Sequence, residues 1–470
     1  MAACDLFFIR QKPLRKRIMK NKKIKADNTV LAALAGGDIY TRLSTVIMGL
    51  GCAMHKQIVK GILIFFVEIA YIFFMITKGI SCLAELPGLG EAEQGKVWNE
   101  AKQIYEYTQG DNSLLILLYG VAVLFVTFLF IVFWAIQLRE SYYLQRRIEQ
   151  GHPVNNFRED IRSLANQNLH ISLMALPLTG IMAFTVVPLI FMISMAFTEY
   201  SKENNHLALF DWVGMVNFGR VLNLAGNIGR QFWGVLTWTL IWAVFATLLN
   251  YIMGMILAMI INRKDTKWKG FWRFCFVLSI AVPQFVSLMI MHIMLQPQGA
   301  INVILKNLGL IDSSLPFMTN VMWARVTIII INLWVGIPYT MLQVTGILQN
   351  IPVELYEAAK IDGAGPVTIF AKITLPYMLF VTTPYLITSF TGNINNFNVI
   401  YLLSGGGPTM VGDTAGKTDL LVTWLYKLTV DQQYYNIGAV IGIFTFIVLS
   451  IVALATYRNS GSYKNEEEFM

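Results

Sequence analysis

A chain of 470 residues that is 56% hydrophobic and 14% charged, with a mean hydropathy of +0.56, is too apolar and too sparsely charged for a soluble globular protein. Its formal charge of +8 would point to nucleic acid in a soluble chain, but in a membrane chain the basic residues report topology, so no nucleic-acid partner is expected. Cys4, Cys52, Cys82 and Cys275 have neither metal-ligand nor disulfide spacing.

The first 38 residues hold nine Lys or Arg, concentrated in RQKPLRKRIMKNKKIK, with no short apolar core followed by small residues, so a cleaved signal peptide is not expected. Next, IYTRLSTVIMGLGCAMHK (39–56) is moderately apolar but broken by Arg42, His55 and Lys56, and reads as a helix lying at a membrane interface. Eight apolar runs of about 20 residues follow. They lie near 60–78, 114–138, 169–197, 233–262, 274–296, 322–345, 375–399 and 436–457. The expected fold is an all-α polytopic membrane protein with eight transmembrane helices. Pro177, Pro188 and Pro283 fall inside runs and predict kinks.

Charge asymmetry orients the chain. With the N-terminus in the cytoplasm, 26 of the 36 Lys and Arg fall in cytoplasmic segments, five of them in 139–162 and five in 263–273. That distribution places both termini and the loop after the sixth run in the cytoplasm. The segment EAEQGKVWNEAKQIYEYTQGD after the first run is then external. Glu68, in the first run, is a candidate by default as an intramembrane acid, yet a lone acid that can be protonated or paired reads best as structural. His292 in the fifth run has no evident partner and reads as packing.

Residues 354–365, ELYEAAKIDGAG, are a charged stretch between the sixth and seventh runs. Pro352 can open a helix, and Gly363, Gly365 and Pro366 stop it. At helical spacing Leu355, Ala358, Ala359 and Asp362 share a face, presenting small residues with acids at the edges. Alone, this pattern fits a plain helical connector. In the seventh run Asn393, Asn395, Asn396 and Asn398 crowd together, and an amide unpaired in an apolar medium costs roughly 2–7 kcal/mol. They should face helices or a wet cavity, with Ser389, Asn393 and Asn396 on one face. Interhelical hydrogen bonding explains such a cluster as readily as a binding site.

The stretch ELYEAAKIDGAGPVTIFAKITLP resembles the EAA loop of binding-protein-dependent ABC importer permeases, whose pattern is E-A-A, D-G-A, an aromatic residue, then I-x-L-P. Glu357, Ala358, Ala359, Asp362, Gly363, Ala364, Phe370, Ile373, Leu375 and Pro376 stand in register. The resemblance covers about 233–457 and is nearest the MalF-type subunit of maltose and maltodextrin importers, through INLWVGIPYTM, SFTGNINNFNVIYLLSGGGP and TDLLVTWLYKL.

What the resemblance implies is a type I ABC importer permease core at 233–457, with the coupling loop at 352–376. Residues 1–59 form a basic cytoplasmic segment, 60–232 hold three peripheral spans with their external loops, and 458–470 form a cytoplasmic tail. Glu357, Ala358, Ala359, Asp362, Gly363 and Ala364 would dock in a cleft of a separate ATPase dimer. ATP and Mg would sit on that ATPase, leaving this chain with no cofactor, metal or catalytic residue. A second homologous permease would complete the path, and an extracellular sugar-binding protein would deliver an oligosaccharide, maltose or maltodextrins foremost. The sugar-contacting positions map onto Asn332, Trp334, Val335, Gly336, Tyr339, Ser389, Gly392 and Asn396.

Two departures matter. Gly392 replaces a bulky aromatic and Val335 a leucine of the enterobacterial subunit, implying a wider or reshaped pocket, with galactan, mannan or alginate fragments as the alternative substrates. The external segment 198–232 is short where that subunit carries a large insert, which implies a different contact with the binding protein, as for a lipid-anchored one. GDTAGKTD (412–419) imitates a phosphate-binding loop, but Val411 stands where its first glycine belongs and no strand precedes it. SGGGPTM (404–410) reads as an external turn. An ion-coupled transporter would need buried titratable pairs and repeats, and a membrane glycosyltransferase would need clustered acids or histidines; neither pattern is present.

Overall fold

The computed structural model describes residues 29–100, 102–203 and 207–458. The basic stretch RQKPLRKRIMKNKKIK and the tail beyond 458, both expected in the cytoplasm, lie outside the described residues. Among the described residues, seven helices are long and apolar enough to cross a membrane, and a bent pair makes an eighth span. In chain order the spans are Ile58–Glu85, Ser113–Glu149, Leu169–Met195, Asn227–Asn262, the pair Lys269–Ala281 and Gln284–Met294, Val321–Asn350, Pro366–Ser404 and Tyr435–Arg458. Two compact units result, 29–194 with 207–212 and 195–203 with 213–458.

In the first unit, the segment expected to be one interfacial helix is instead two short ones, Ile39–Leu43 and Leu50–Met54. The break has a local cause. Gly49 holds φ +81°, and a Cβ there would lie 2.2 Å from the Gly61 carbonyl oxygen, so only glycine fits the turn. Span two supplies the polar partners the broken backbone requires. Gln137 Nε2 donates to the Ser44 carbonyl at 2.8 Å, Trp134 Nε1 to the Thr45 carbonyl at 3.0 Å, and the Gly49 amide to Gln137 Oε1 at 3.3 Å. Glu68 accepts from the Met48 amide at 2.8 Å, which is the structural role its position suggested.

Two further features of this unit depart from the sequence expectation. The first external loop contains an antiparallel hairpin, Gly95–Asn99 with Ile104–Thr108. Val97, Trp98, Ile104, Tyr105 and Tyr107 are favourable strand residues, within a segment expected only to be external. Pro177 and Pro188 flank a π-helical turn at Met182–Val186, where the helix absorbs the missing donors.

The second unit is built on span four against span six. Small residues permit the approach: a Cβ on Gly254 would lie 2.6 Å from Thr340 Cβ. Two apolar clusters sit along this pair. Trp238, Trp242, Ala246, Leu288, Ile328, Val399 and Leu403 form one, and Tyr251, Met255, Ala258, Met341, Val344 and Met378 the other. Between them falls a polar layer at Thr247, Asn250, Asn332, Gly336 and Asn393.

Pro283 does more than kink span five. The chain turns by 85° there, with Val282 extended at φ −77°, ψ 125°. A proline disfavours helical geometry in the residue before it and cannot donate to the preceding turn, so one helix ends and another begins.

Candidate functional site

The polar layer opens into a cavity of about 630 Å³ walled by spans four, five, six and seven. Asn332, Trp334, Val335, Gly336, Tyr339, Ser389 and Asn396 all line it. Trp334 is 57% and Tyr339 51% exposed, so both present open ring faces. Gly392 does not line the cavity. It borders a separate groove of about 400 Å³ with Asn395, Phe446, Leu449 and Ser450. Three residues of helix past Ser389 carry Gly392 roughly 60° around the axis, and without a side chain it reaches no further.

The asparagine cluster divides. Span seven breaks at Asn395, and Asn396 caps the helix Phe397–Ser404 by accepting from the Val399 amide at 3.2 Å. Its Nδ2 donates to Asn393 Oδ1 at 3.4 Å, and Asn393 Nδ2 donates to Thr247 Oγ1 at 3.0 Å. Asn395 and Asn398 are exposed, away from this network.

The cavity also recruits residues that the sequence reading did not name as site residues. Asn250, Ser279, Gln284, Ser287, Thr340 and Gln343 line it, as does Tyr385, whose hydroxyl lies 3.1 Å from that of Thr340. The rule that drew attention to span seven, polar groups in an apolar run, would have found Asn250 and Gln284. Asn250 bears directly on Gly336: a Cβ there would meet Asn250 Nδ2 at 2.2 Å. Asn250 Oδ1 and Asn332 Nδ2, one acceptor and one donor, are buried without partners.

His292 is not mere packing. Its Nδ1 lies 2.6 Å from the Leu403 carbonyl and its Nε2 2.9 Å from Gln296 Nε2, so Nδ1–H donates to the carbonyl and Nε2 accepts from the amide. The ring thereby ties span five to the end of span seven beyond the Asn395 break.

Span six leads from the cavity to the charged helix Val353–Ile361. Glu357, Ala358, Asp362 and Gly363 are exposed, and Ala359 and Ala364 half-buried. Gly363 takes φ +77°, and the amides of Asp362, Gly363 and Ala364 donate to the carbonyls of Ala358, Lys360 and Ala359, closing the helix end. Tyr356 Oη lies 3.1 Å from Thr374 Oγ1, fastening the helix to span seven. Ile361 is 86% and Val367 79% exposed beside the turn.

At the other end of span six, the loop resembling a phosphate-binding motif is knitted shut. Gln231 Oε1 accepts from the amides of Thr414 and Ala415, both at 2.7 Å, and Lys417 Nζ donates to Asp413 at 3.0 Å. Asp419, fully buried, accepts from Gly416 N–H and Lys427 Nζ at 2.7 Å and from Thr423 Oγ1 at 2.9 Å. Burial pushes its carboxyl above the usual range, and Lys427 pulls it only partly back.

Lys427→Met therefore strands a buried acid, at an expected cost of about 3–5 kcal/mol, and adding Asp419→Asn should recover much of it. A carboxyl raised in the folded state binds its proton more tightly there than in the unfolded chain. The stability it contributes is present at acid pH and lost as pH rises through its folded value. The melting deficit of Lys427→Met against the unaltered chain should accordingly narrow on acidification from neutral pH; a pH-independent deficit would show that Asp419 is not the group left stranded.

Residues 250–461 match the family described as binding-protein-dependent transport system inner membrane component. The galactooligosaccharides transport system permease protein GanP of Bacillus subtilis (strain 168) is 34% identical over 429 residues, covering 90% of this chain and 98% of that protein. The maltodextrin transport system permease protein MdxF of the same organism is 35% identical over 437 residues, 90% of this chain and 96% of that protein. MalF of Photorhabdus laumondii, a maltose/maltodextrin transport system permease protein, is 38% identical over 247 residues, 52% of this chain and 47% of that protein. Among solved structures, a bacterial ABC transporter involved in the import of the acidic polysaccharide alginate superposes with a TM-score of 0.51 at 20% identity, covering 64% of this chain and 97% of that one. That likeness is one of fold.

Proposed function

For a chain that belongs to the family of binding-protein-dependent transport system inner membrane components, and is thus an ABC importer permease subunit rather than an enzyme or an ion-coupled carrier, we propose that the cavity passes an oligosaccharide, with maltose and maltodextrins as its substrates. The observation that carries this reading is the composition of the wall. Amide groups of Asn332 and Asn396 and the Ser389 hydroxyl stand beside the accessible rings of Trp334 and Tyr339. Sugars present hydroxyls that both donate and accept, and C–H faces that pack on aromatic rings. The volume lies within the roughly 300–1,000 Å³ of small-molecule sites. Asn250 Oδ1 and Asn332 Nδ2 would gain partners from a hydroxyl once the wall opens.

The relatives named for maltodextrin and for galactooligosaccharides support two substrate readings. The alpha-glucan reading is preferred on the resemblance to maltose-type subunits, which implies sugar contacts at Trp334 and Tyr339. In this scheme the chain lies in the cytoplasmic membrane with both termini inside, pairs with a second permease and rests on an ATPase dimer that holds ATP and Mg. Glu357 to Ala364 form the docking helix. An extracellular binding protein, lipid-anchored to suit the short 198–232 segment, loads the cavity. ATP and loaded binding protein drive transport by favouring the outward-facing state over the inward-facing one.

The test is ATPase activity of the complex in lipid, with a panel of oligosaccharides on the binding protein. Stimulation by maltotriose or longer alpha-glucans is expected; stimulation by galactooligosaccharides alone would replace the substrate. Asn396 needs paired variants because it also caps a helix. Asn396→Ala removes cap and sugar donor together, costing about 1 kcal/mol in stability. Asn396→Asp keeps the capping oxygen and loses the amide. Both should lose stimulation, and wild-type stimulation in Asn396→Asp would reduce the residue to its capping role.

A further inference from the structure

At the far end of span six from the docking helix lies a second hollow, of about 310 Å³. Arg230 and Gln231 open its wall from the start of span four, Arg325 from the start of span six, and Asp413 and Lys417 from the 405–420 loop. Three cations face one carboxylate, and that carboxylate is already engaged by Lys417. Among the described residues neither arginine has an acidic partner: Arg230 reaches only Asn227 Oδ1, at 3.3 Å.

Unpaired arginines on a wet surface mean little by themselves, since solvent screens them. Here one of the two, Arg325, is held in place, while Arg230 stands exposed at the rim. Arg325 donates through Nε and Nη2 to the Lys417 carbonyl at 3.1 and 3.0 Å and lies 4.4 Å from the Trp238 ring centre, which fixes both the guanidinium and the loop. Gln231, 6% exposed, spends its oxygen on the loop while its Nε2 is buried without a partner. Beside them Met410 and Val411 stand 57% and 106% exposed, an apolar lip on a basic hollow. The Arg325 guanidinium and the Gln231 amide, fixed before any ligand arrives, lose little freedom on binding an acid, and the exposed Arg230 adds its charge.

We infer that this hollow is a socket for a side-chain carboxylate on the loaded sugar-binding protein, with the Met410–Val411 lip packing against the same loop. This rests on the importer reading above, which puts this end of span six outside the cell. Charge complementarity favours the occupant: the free Arg230 guanidinium can bind a carboxylate through two parallel hydrogen bonds, and arginines are frequent anchors at protein interfaces. It also meets a need left by the short 198–232 segment, since docking must be done by what the core itself exposes.

The experiment titrates maltotriose-loaded binding protein against the complex in lipid nanodiscs and reads ATPase stimulation. Arg230→Glu should raise the half-saturating concentration about tenfold and flatten its rise with ionic strength, and Arg230→Lys should recover part of the loss. Val411→Ser should raise half-saturation without changing the salt dependence. Recovery of the assembled complex controls for folding. Unchanged half-saturation and salt dependence in Arg230→Glu would overturn the socket. So would a shift that appears only with an acidic sugar, or one reproduced by free acetate, since either assigns the hollow to a small anion. No stimulation of the unaltered complex by any binding protein would instead overturn the importer reading, and the socket with it.

Discussion

Gly363→Asp should abolish sugar uptake while leaving the chain in the membrane at normal abundance. The backbone there holds φ +77°, which costs an L-residue roughly 1–2 kcal/mol, and asparagine and aspartate bear this region better than most. A Cβ at this position meets nothing within 4 Å, so the fold has room for the side chain. The damage falls on what docks there. A new carboxylate beside Asp362, at the end of a helix already carrying Glu354 and Glu357, changes the charge and shape of an exposed turn. Copurification of the ATPase should be lost together with uptake, whereas Gly363→Ala, which adds strain without charge, should retain part of both. Full ATPase recovery and normal uptake in Gly363→Asp would remove the docking role from this helix.

The second large effect is expected from Gly254→Val, at the tightest approach of spans four and six. A Cβ there would sit 2.6 Å from Thr340 Cβ, 2.8 Å from Thr340 Cγ2 and 3.1 Å from the Met341 amide nitrogen. A β-branched side chain and a backbone atom cannot swing aside, so the helices must part. Overpacking of this kind costs on the order of 3 kcal/mol, and it spreads into the layer that holds Asn250 and Asn332. Melting of the purified chain in detergent should fall by several degrees, Gly254→Ala should fall in between, and Thr340→Ala should rescue the valine variant in part. Unchanged melting would mean that the two helices are not held at this contact.

How much of this was legible in the sequence depended on the range of the interaction. Spans are local: a run of apolar side chains long enough to cross hydrocarbon declares itself, and the eight expected spans are those observed. The turn at Gly363 was legible for the same reason, since Gly363, Gly365 and Pro366 stop a helix by their own backbone chemistry. Helical spacing puts Ser389, Asn393 and Asn396 on one face and the family resemblance adds Asn332, and seven of the mapped positions do line one cavity. Gly392 misses because helix phase decides the face, and 60° suffices to turn a residue into the neighbouring groove. Asn250 and Gln284 escaped because a single amide in a long run looks like noise until the spans are assembled. The broken interfacial segment escaped for a different reason: its polar partners, Gln137 and Gln145, lie about a hundred residues further on, and no local pattern announces them.

The break in span five sets a limit on what that span can be. Its halves have 13 and 11 residues, hence lengths of about 20 and 17 Å at the helical rise, against roughly 30 Å of hydrocarbon. Neither half is a membrane-crossing rod, and the elbow between them leaves carbonyls near Ser279 to Val282 outside the helical ladder. Irregular backbone at such depth persists only where protein or water covers it. Ser279, Val282, Pro283 and Gln284 all border the cavity, so the elbow's open backbone faces a hollow that water or a sugar can fill.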